Sequence, residues 1–276
     1  MRADVDGDEA DDGALDGDAV DGITGGDAVD GIADGDAVDG ITDGDAVSGV
    51  DVEGDGAAPV DRALAAFAAG DPVCVHDFAD REGETDLIYP AATIDPEAVA
   101  HLRNDAGGLV CVAVADHVAD AFGLPFLADA LDHPAVDDAP DYDDRSSFSL
   151  PVNHRETFTG ITDDDRARTI VALAEAAAAV DRDPDGYTPA DFAEEFRAPG
   201  HVHVLRGARD GIRDRVGHTE LGLALAEAVG AAPAAVVCEM LDDATGEALS
   251  PADAAAYAER RGIPYVEGAD LVAALR

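Results

Sequence analysis

The chain changes character near residue 58, and this boundary limits what each part can fold into. Residues 1–58 repeat a nine-residue acidic unit, with copies starting at Gly17, Gly26 and Gly35 and a decayed copy at Gly44. The region has no aromatic residue, and a unit offers only one Val and one Ile. Such a segment buries too little apolar surface to offset its ordering entropy. We predict a disordered acidic tail, with a weak cation-binding array as the alternative.

The charge of the whole chain restricts its partners and its surroundings. Its 276 residues carry a formal net charge of −44, and the 17 basic residues are all Arg. So negative a chain repels nucleic acid and anionic membranes. Very high salt would screen its self-repulsion, which favours a halophilic protein over an acidic interaction protein. No segment approaches the roughly 20 apolar residues of a membrane span, and the acidic N-terminus is unlike a signal peptide. We therefore expect a cytoplasmic protein.

Residues 59–276 alternate between helix-like and strand-like patterns, which predicts one α+β domain, a layered sandwich with a mixed central sheet flanked by helices. The predicted strands are Val73–His76, Leu87–Ala91, Leu109–Val114, Ser147–Val152, His201–Leu205 and Ala235–Cys238. The predicted helices are Val60–Ala69, Asp95–Asn104, Asp116–Phe122, Asp165–Val180, Pro189–Phe196, Thr219–Val229 and Pro251–Gly262. The Pro- and Asp-rich segment Leu131–Asp144 is predicted to be a surface loop.

The loop Arg81–Asp86 between the first two predicted strands is the first candidate site. On a strand-like stretch Glu82, Glu84 and Asp86 would alternate onto one side. Converging carboxylates need a cation or an Arg nearby, and their hard oxygen atoms suit Mg²⁺ or Mn²⁺. A solvated turn in an acid-rich protein is the alternative.

The second candidate, Arg213–Glu220, directly precedes a predicted helix. Its Gly217 permits close backbone approach, and a helix N-terminus with Arg215 and the Thr219 hydroxyl suits a phosphate group. His218 could bind a metal ion. An ordinary turn with Thr219 as the helix cap explains the same residues.

Three weaker signals lie elsewhere in the chain. Hydroxyl groups cluster in Asn153–Thr162 before a helix, His201 begins a strand, and Glu239 follows a buried strand. Each has a structural alternative: cap chemistry for the hydroxyl groups, a structural His, and a solvent-facing strand end. The three cysteines lack the close pairing of disulfide frameworks or zinc sites.

These pieces, in this order, resemble the 3,4-dihydroxy-2-butanone-4-phosphate synthase family of riboflavin biosynthesis. The family's motifs R-E-x-E-x-D, T-G-I-[ST]…D-R-A, P-G-H-V, R-x-G-H-T-E and C-E match Arg81–Asp86, Thr159–Ala167, Pro199–Val202, Arg215–Glu220 and Cys238–Glu239. The form R-E-G-E-T-D is similar to archaeal members. The resemblance covers about Val60 to Arg276, while the tail has no recognised counterpart.

The resemblance implies a lyase that converts D-ribulose 5-phosphate to 3,4-dihydroxy-2-butanone 4-phosphate and formate with Mg²⁺ or Mn²⁺. It implies metal binding by Glu82 and His218. The implied substrate-binding residues are Arg81, Glu82, Asp86, Thr159, Arg215, Val216, Gly217, His218, Thr219 and Glu239. The implied catalytic residues are His201, Glu239, Glu84 and Cys111, the last matching a cysteine of archaeal relatives.

Family members are homodimers whose sites use both subunits, so a homodimer is implied here. The alternative is a non-catalytic sugar-phosphate-binding homologue, which would need a broken motif; none of the motifs is broken.

The implied reaction needs several proton transfers, because it removes a proton beside a ketone, shifts the carbon skeleton and releases formate. Carboxylates and a His can provide these transfers.

Overall fold

A computed structural model describes residues 58–136, 143 and 145–276. The predicted acidic tail, except for its last residue, lies outside the described residues, and so does most of the second half of the predicted loop Leu131–Asp144.

One mixed sheet of seven strands forms the middle layer of the described chain. The strands are β1 (Val73–His76), β2 (Thr85–Pro90), β3 (Cys111–Val114), β4 (Val152–His154), β5 (Phe196–Arg206), β6 (Ala234–Glu239) and β7 (Tyr265–Glu267). Their order across the sheet is β4-β5-β3-β6-β2-β1-β7. Pairing is antiparallel except for β3 with β5 and β1 with β7, which are parallel.

Helices cover both faces of this sheet. They are α1 (Pro59–Ala69), α2 (Pro96–His101), α3 (Asp116–Phe122), α4 (Leu127–Ala130), α5 (Asp163–Arg182), α6 (Pro189–Glu195), α7 (His218–Val229), α8 (Pro251–Arg261) and α9 (Gly268–Leu275). A π-helical turn at Leu102–Ala106 follows α2 directly. The longest helix, α5, begins where the Thr162 hydroxyl accepts the Asp165 N–H at 3.1 Å, and three acidic residues in its first turn suit the helix dipole.

The core is divided into two apolar clusters because successive strand residues point to opposite faces. On one face Ile88 and Val237 pack with Phe67 of α1, Leu221 of α7 and Leu271 of α9. The other cluster joins strand residues to α2, α3, α5, α6 and α8. Burial on both faces explains why several strands are continuous apolar runs.

The structure confirms the predicted fold class, with differences in single elements. The predicted strand Ser147–Val152 is wrong, because regular pairing with β5 begins only at Val152. Before that point, Phe148 forms an isolated bridge, and Pro151 has no N–H with which to continue the ladder. The prediction also missed α4, β7 and α9. Within the described residues, no helix is both long enough and apolar enough to cross a membrane.

The site described below lies at one end of the central strands. Asp86, near the start of β2, pairs in register with Glu239 at the end of β6. The first residue of α7 and the loop between β1 and β2 border the same end.

Candidate active site

The loop between β1 and β2 is fixed by the buried carboxylate of Asp77. It accepts the N–H of Glu84 at 3.1 Å and a hydrogen bond from Arg81 Nη1 at 3.0 Å. Gly83 has a φ of +68°, which lets the chain reverse at this point. The charged loop is therefore folded onto the sheet rather than solvated as a simple turn.

His218, the first residue of α7, faces two carboxylates of this hairpin. Its Nδ1 lies 3.4 Å from Glu82 Oε2 and 3.4 Å from Asp86 Oδ1. Its Nε2 lies 3.2 Å from the carbonyl oxygen of Val75, to which it can only donate. In the neutral ring, Nδ1 then carries the lone pair, as a metal-binding His requires. We call Asp77, Glu82, Asp86 and His218 the His218 cluster.

Burial and mutual attraction shift the protonation of this cluster. Burial raises the pKa of Asp86 to about 8, and its Oδ1 accepts no hydrogen bond from the described residues. Burial opposes charge on His218, but Asp86, Glu82 and Asp77 outweigh it and raise the pKa of His218 to about 9. Burial also opposes charge on Glu82, yet His218 and Arg81 lower the pKa of this carboxyl. The cluster therefore contains more carboxyl groups than basic groups, and this excess of negative charge attracts a cation.

Two arginines meet beside the N-terminus of α7. Arg81 Nη2 and Arg215 Nε each lie 2.7 Å from the same oxygen of Asp143. Arg215 Nη1 also donates to Glu220, whose side chain is fully buried, at 2.7 Å. A Cβ on Gly217 would lie 2.6 Å from Arg215 Nη1 and 2.7 Å from Arg81 Nη2, so only glycine lets both guanidinium groups approach. The two arginines therefore hold the carboxylate of Asp143 between them, and we call Arg81, Arg215 and Gly217 the arginine corner.

Glu239 is held by the turn that precedes β3. Its Oε2 accepts the N–H of Leu109 at 2.8 Å, and its carbonyl oxygen accepts the N–H of Gly108 at 3.0 Å. A Cβ on Gly108 would lie 2.5 Å from Glu239 Oε2. Glu84 lies close enough that burial, Glu82 and Glu239 together raise its pKa. The carboxylate of Glu239 is thus positioned by backbone groups.

A cavity of about 110 Å³ connects these groups. Cys111 lines it and is almost completely buried. Burial, with smaller contributions from Glu239 and Asp86, raises the pKa of its thiol well above the usual value. The thiol therefore stays protonated and can act as a weak donor, not as a base or nucleophile.

A second polar group lies at the pairing of β4 with β5 and does not line this cavity. Asn153 contacts the backbone N–H and the ring Nδ1 of His201. Asp165 holds the next loop by accepting from the N–H of Thr159 and from the N–H of Gly160. We call Asn153, Thr159, Asp165 and His201 the His201 cluster.

Comparison with known proteins identifies the group to which this arrangement belongs. A sequence profile described as "3,4-dihydroxy-2-butanone 4-phosphate synthase" matches residues 61–274. The chain belongs to this family. The family assignment expected from the motifs is therefore confirmed over most of the described residues.

Archaeal and fungal members of the synthase family match over nearly their full length. The synthase of Archaeoglobus fulgidus is 50% identical over 222 residues, which cover 77% of this chain and 92% of that protein. The synthase of Saccharomyces cerevisiae is 33% identical, and the match covers 79% of this chain and 98% of that protein. A solved synthase in complex with two magnesium ions has a TM-score of 0.65 and 30% identity, covering 78% of this chain and 94% of that one.

Eight of the residues expected from the family resemblance line this cavity. They are Arg81, Glu82, Asp86, Cys111, Arg215, His218, Thr219 and Glu239. Val216 and Gly217 lie between two of these in the chain, and Glu84 borders Glu82 and Glu239. Two expected residues, Thr159 and His201, lie instead in the His201 cluster. The expectation that Glu82, Glu84 and Asp86 alternate along a strand is wrong, because β2 begins only at Thr85.

Sequence reasoning missed the residues that hold the expected ones in place. Asp77 was missed although its side chain lies with Glu82 and His218, each offering one ligand atom within 4.8 Å of the others. Asp143, in the predicted surface loop, bridges both arginines. In the sequence Asn153 stands out only as part of a polar run. The position of Asp77 directly after the buried strand β1 is the sequence signal that could have identified it.

Proposed function

We propose that the chain converts D-ribulose 5-phosphate to 3,4-dihydroxy-2-butanone 4-phosphate and formate, with Mg²⁺ as the bound metal. The observation that carries the proposal is the meeting of the His218 cluster with the arginine corner and Glu239 in one cavity. A sugar phosphate needs those three functions at once: a cation site, an anion site and a proton-transferring carboxylate.

Glu82 and His218 would hold the metal, and Asp77 is close enough to join them. The donor set fits Mg²⁺ or Mn²⁺, because it combines carboxylate oxygens with one imidazole. The Asp86 oxygen that accepts no hydrogen bond from a described residue also fits a site that a cation completes. When bound, such an ion polarises a carbonyl or hydroxyl oxygen as a Lewis acid.

The phosphate group would bind at the arginine corner. Arg215 and Arg81 supply charge, the Thr219 hydroxyl supplies a donor, and Val216 and Gly217 place backbone N–H groups at the start of α7. Within the described residues no side-chain hydrogen bond caps this helix, which supports the proposal that a ligand does.

Proton transfers fall to the remaining polar groups. Glu239, held by the N–H of Leu109, is placed to exchange protons with a substrate in the cavity. Glu84 and Asp86 would face the sugar hydroxyls and share a proton among neighbouring carboxylates. Cys111 would contact the substrate as a neutral thiol.

A homodimer with shared sites would bring the His201 cluster to the cavity of a second copy. Support comes from the exposure of apolar side chains beside Thr159: Phe158 is 93% exposed and Ile161 is 51% exposed. Exposed apolar groups at a polar site indicate a surface that another chain covers. His201 and Thr159 would then complete the substrate site from the partner.

The acidic composition supports the proposal that this protein works in a cytoplasm of high salt concentration. It argues against nucleic acids and membranes as binding partners. The net charge is −44, and no Lys is present. A protein adapted in this way needs a high ionic strength in every assay.

The deciding experiment measures formate release from D-ribulose 5-phosphate in high salt, with and without EDTA. Mg²⁺ should restore the activity that EDTA removes. Binding of the sugar phosphate without formate release would instead favour a non-catalytic homologue.

Two variants test the parts of the proposal. Glu239→Gln should leave substrate binding largely intact and stop formate release. A chain lacking residues 1–58 should release formate at an unchanged rate; a large loss would favour a function located in the tail.

A further inference from the structure

The most informative contact outside the cavity is that between Asn153 and His201. Asn153 is almost completely buried on β4, whereas the side chain of His201 on β5 is exposed. Asn153 Oδ1 lies 2.8 Å from the backbone N of His201, and Nδ2 lies 3.1 Å from the ring Nδ1. One buried amide therefore contacts both the backbone and the ring of a single exposed histidine.

Two backbone groups fix the orientation of this amide independently. The N–H of His201 can only donate, so the Asn153 atom that faces it must be the oxygen. The carbonyl oxygen of Thr159 can only accept, and it lies 3.4 Å from Nδ2. Both contacts require the same placement of O and NH₂. The amide group that faces the His201 ring is thus a donor.

The surrounding backbone leaves the amide no room to turn away. A Cβ on Gly160 would lie 2.1 Å from Asn153 Nδ2, so the loop closes directly over the amide. Gly160 has a φ of +89°, and its N–H donates to Asp165 at 2.8 Å, which fixes the loop in this position. The loop at Gly160 therefore holds the NH₂ group of Asn153 so that it points at His201 Nδ1.

A donor at Nδ1 determines where the imidazole proton lies. Nδ1 must accept, so the neutral ring carries its hydrogen on Nε2. Within the described residues Nε2 has no hydrogen-bond partner. We propose that Asn153 is a positioning residue that keeps the hydrogen of the neutral His201 ring on Nε2, so that this ring offers the substrate a hydrogen-bond donor rather than a base. The chemical role in this inference rests on the proposed function, in which His201 contacts the sugar phosphate.

The two histidines would then have different roles: His201 donates a hydrogen bond to the substrate, and His218 holds the metal. A neutral imidazole can polarise a substrate oxygen by donating from Nε2, and it has no free lone pair there with which to take a proton. Proton removal is then left to the carboxylates of the cavity. The neutral ring of His218 would carry its hydrogen on the same nitrogen, but it turns the other nitrogen to the site: Nε2 donates to a carbonyl oxygen, and Nδ1 faces the carboxylates.

The proton position can be read directly by ¹⁵N NMR of the full-length chain with labelled histidine, at a pH at which the ring is neutral. His201→Gln identifies the His201 signal among the eight histidines. We expect the Nε2–H form in the wild type and the Nδ1–H form in Asn153→Asp, because a carboxylate oxygen accepts where the amide donated. An Nδ1–H form in the wild type would overturn the proposal whether or not any variant folds.

Kinetics test whether the donor matters to the reaction. At the same pH, Asn153→Leu and Asn153→Asp should lower kcat by about 10²-fold, the usual effect of losing one aligned donor, with KM changed by less than about threefold. Asn104→Leu and Asn104→Asp are matched controls at an exposed site and should keep the wild-type kcat. An unchanged kcat in Asn153→Asp with the Nδ1–H form present would overturn the donor role. Absence of formate release by the wild type would instead contradict the proposed function, while the NMR result would still decide the proton position.

Discussion

The His218 cluster and the His201 cluster use opposite means to fix a histidine. In the first, Asp77, Asp86 and His218 are buried and held by opposite charges within about 3.4 Å. In the second, the exposed residues His201 and Thr159 are held by hydrogen bonds, His201 to the neutral amide of Asn153 and Thr159 to the carboxylate of Asp165. A buried set with excess negative charge is completed by a cation. The exposed His201 cluster is already held in one geometry by the Asn153 amide. In the proposed dimer, the second copy that covers this surface would complete its site.

The largest expected effect comes from the buried cluster. Glu82→Gln keeps the size of the side chain but removes the carboxylate proposed to hold the metal. Formate release should fall by at least about 10³-fold, because the loss of Lewis-acid stabilisation costs several kcal/mol. Titration calorimetry should show weaker Mg²⁺ binding by the same variant.

Glu97→Gln is the matched control for this change, since Glu97 is exposed on α2. It should leave both formate release and Mg²⁺ affinity as in the wild type. If Glu82→Gln folds, binds Mg²⁺ normally and turns over, Glu82 has no part in the metal site.

Mixing two inactive variants tests whether the clusters work across two copies. His201→Gln and Glu239→Gln should each lose about 10²- to 10⁴-fold in kcat, the usual effect of removing an acid–base or polarising group. In a mixed dimer one of the two sites would contain both native residues. Equal mixing with exchange of subunits should therefore restore about a quarter of the wild-type activity, given a symmetric dimer.

Recovery depends on the site being shared, so its absence is informative. If size-exclusion measurements show that mixed dimers form and activity does not return, each chain completes its own site. A monomer under assay conditions would contradict the shared site directly.

A smaller effect is expected from the turn that holds Glu239. Gly108→Ala would place a Cβ 2.5 Å from both Glu239 Oε2 and its carbonyl oxygen, which are not free to move far. Displacement of the carboxylate should lower kcat by about 10- to 10²-fold, while the NMR signal of His201 stays unchanged. The neighbouring change Gly107→Ala is the control: φ is +86°, but the new Cβ has room, 3.8 Å from Leu241. It should cost about 1 kcal/mol of stability and leave kcat unaffected.

The sequence predicted those features that depend on local pattern. Apolar runs and turn residues located β1, α3 and α7 within a residue or two, and motif spacing located the residues that line the cavity. What it missed depends on contacts between distant residues. Asp143 reaches Arg81 across 62 positions, and Asn153 reaches His201 across 48. No local sequence pattern encodes such distant pairs. The sequence therefore predicted the residues expected to contact the substrate or metal and missed Asp143 and Asn153, which hold them in place.

The His218 cluster should also link the stability of the fold to pH. In the metal-free protein the pKa of His218 is raised from 6.5 to about 9 and that of Asp86 from 3.8 to about 8. Both groups therefore bind protons more tightly in the folded than in the unfolded chain. The stabilisation from His218 is complete below pH 6.5 and is lost as the pH rises through about 9. Asp86 acts in the same direction, because ionising it when buried costs free energy.

We therefore expect the Tm of the metal-free protein to fall by at least about 2 °C between pH 6.5 and 8.5, as about 1 kcal/mol of stability is lost. Differential scanning calorimetry in EDTA at constant high salt measures this change. Mg²⁺ should cancel the fall, since metal binding requires deprotonated His218 and strengthens as the pH rises. Asp86→Asn removes one of the two groups and should make the fall shallower. A Tm that is constant or rises in EDTA would mean that the buried charges are not linked to folding in this way.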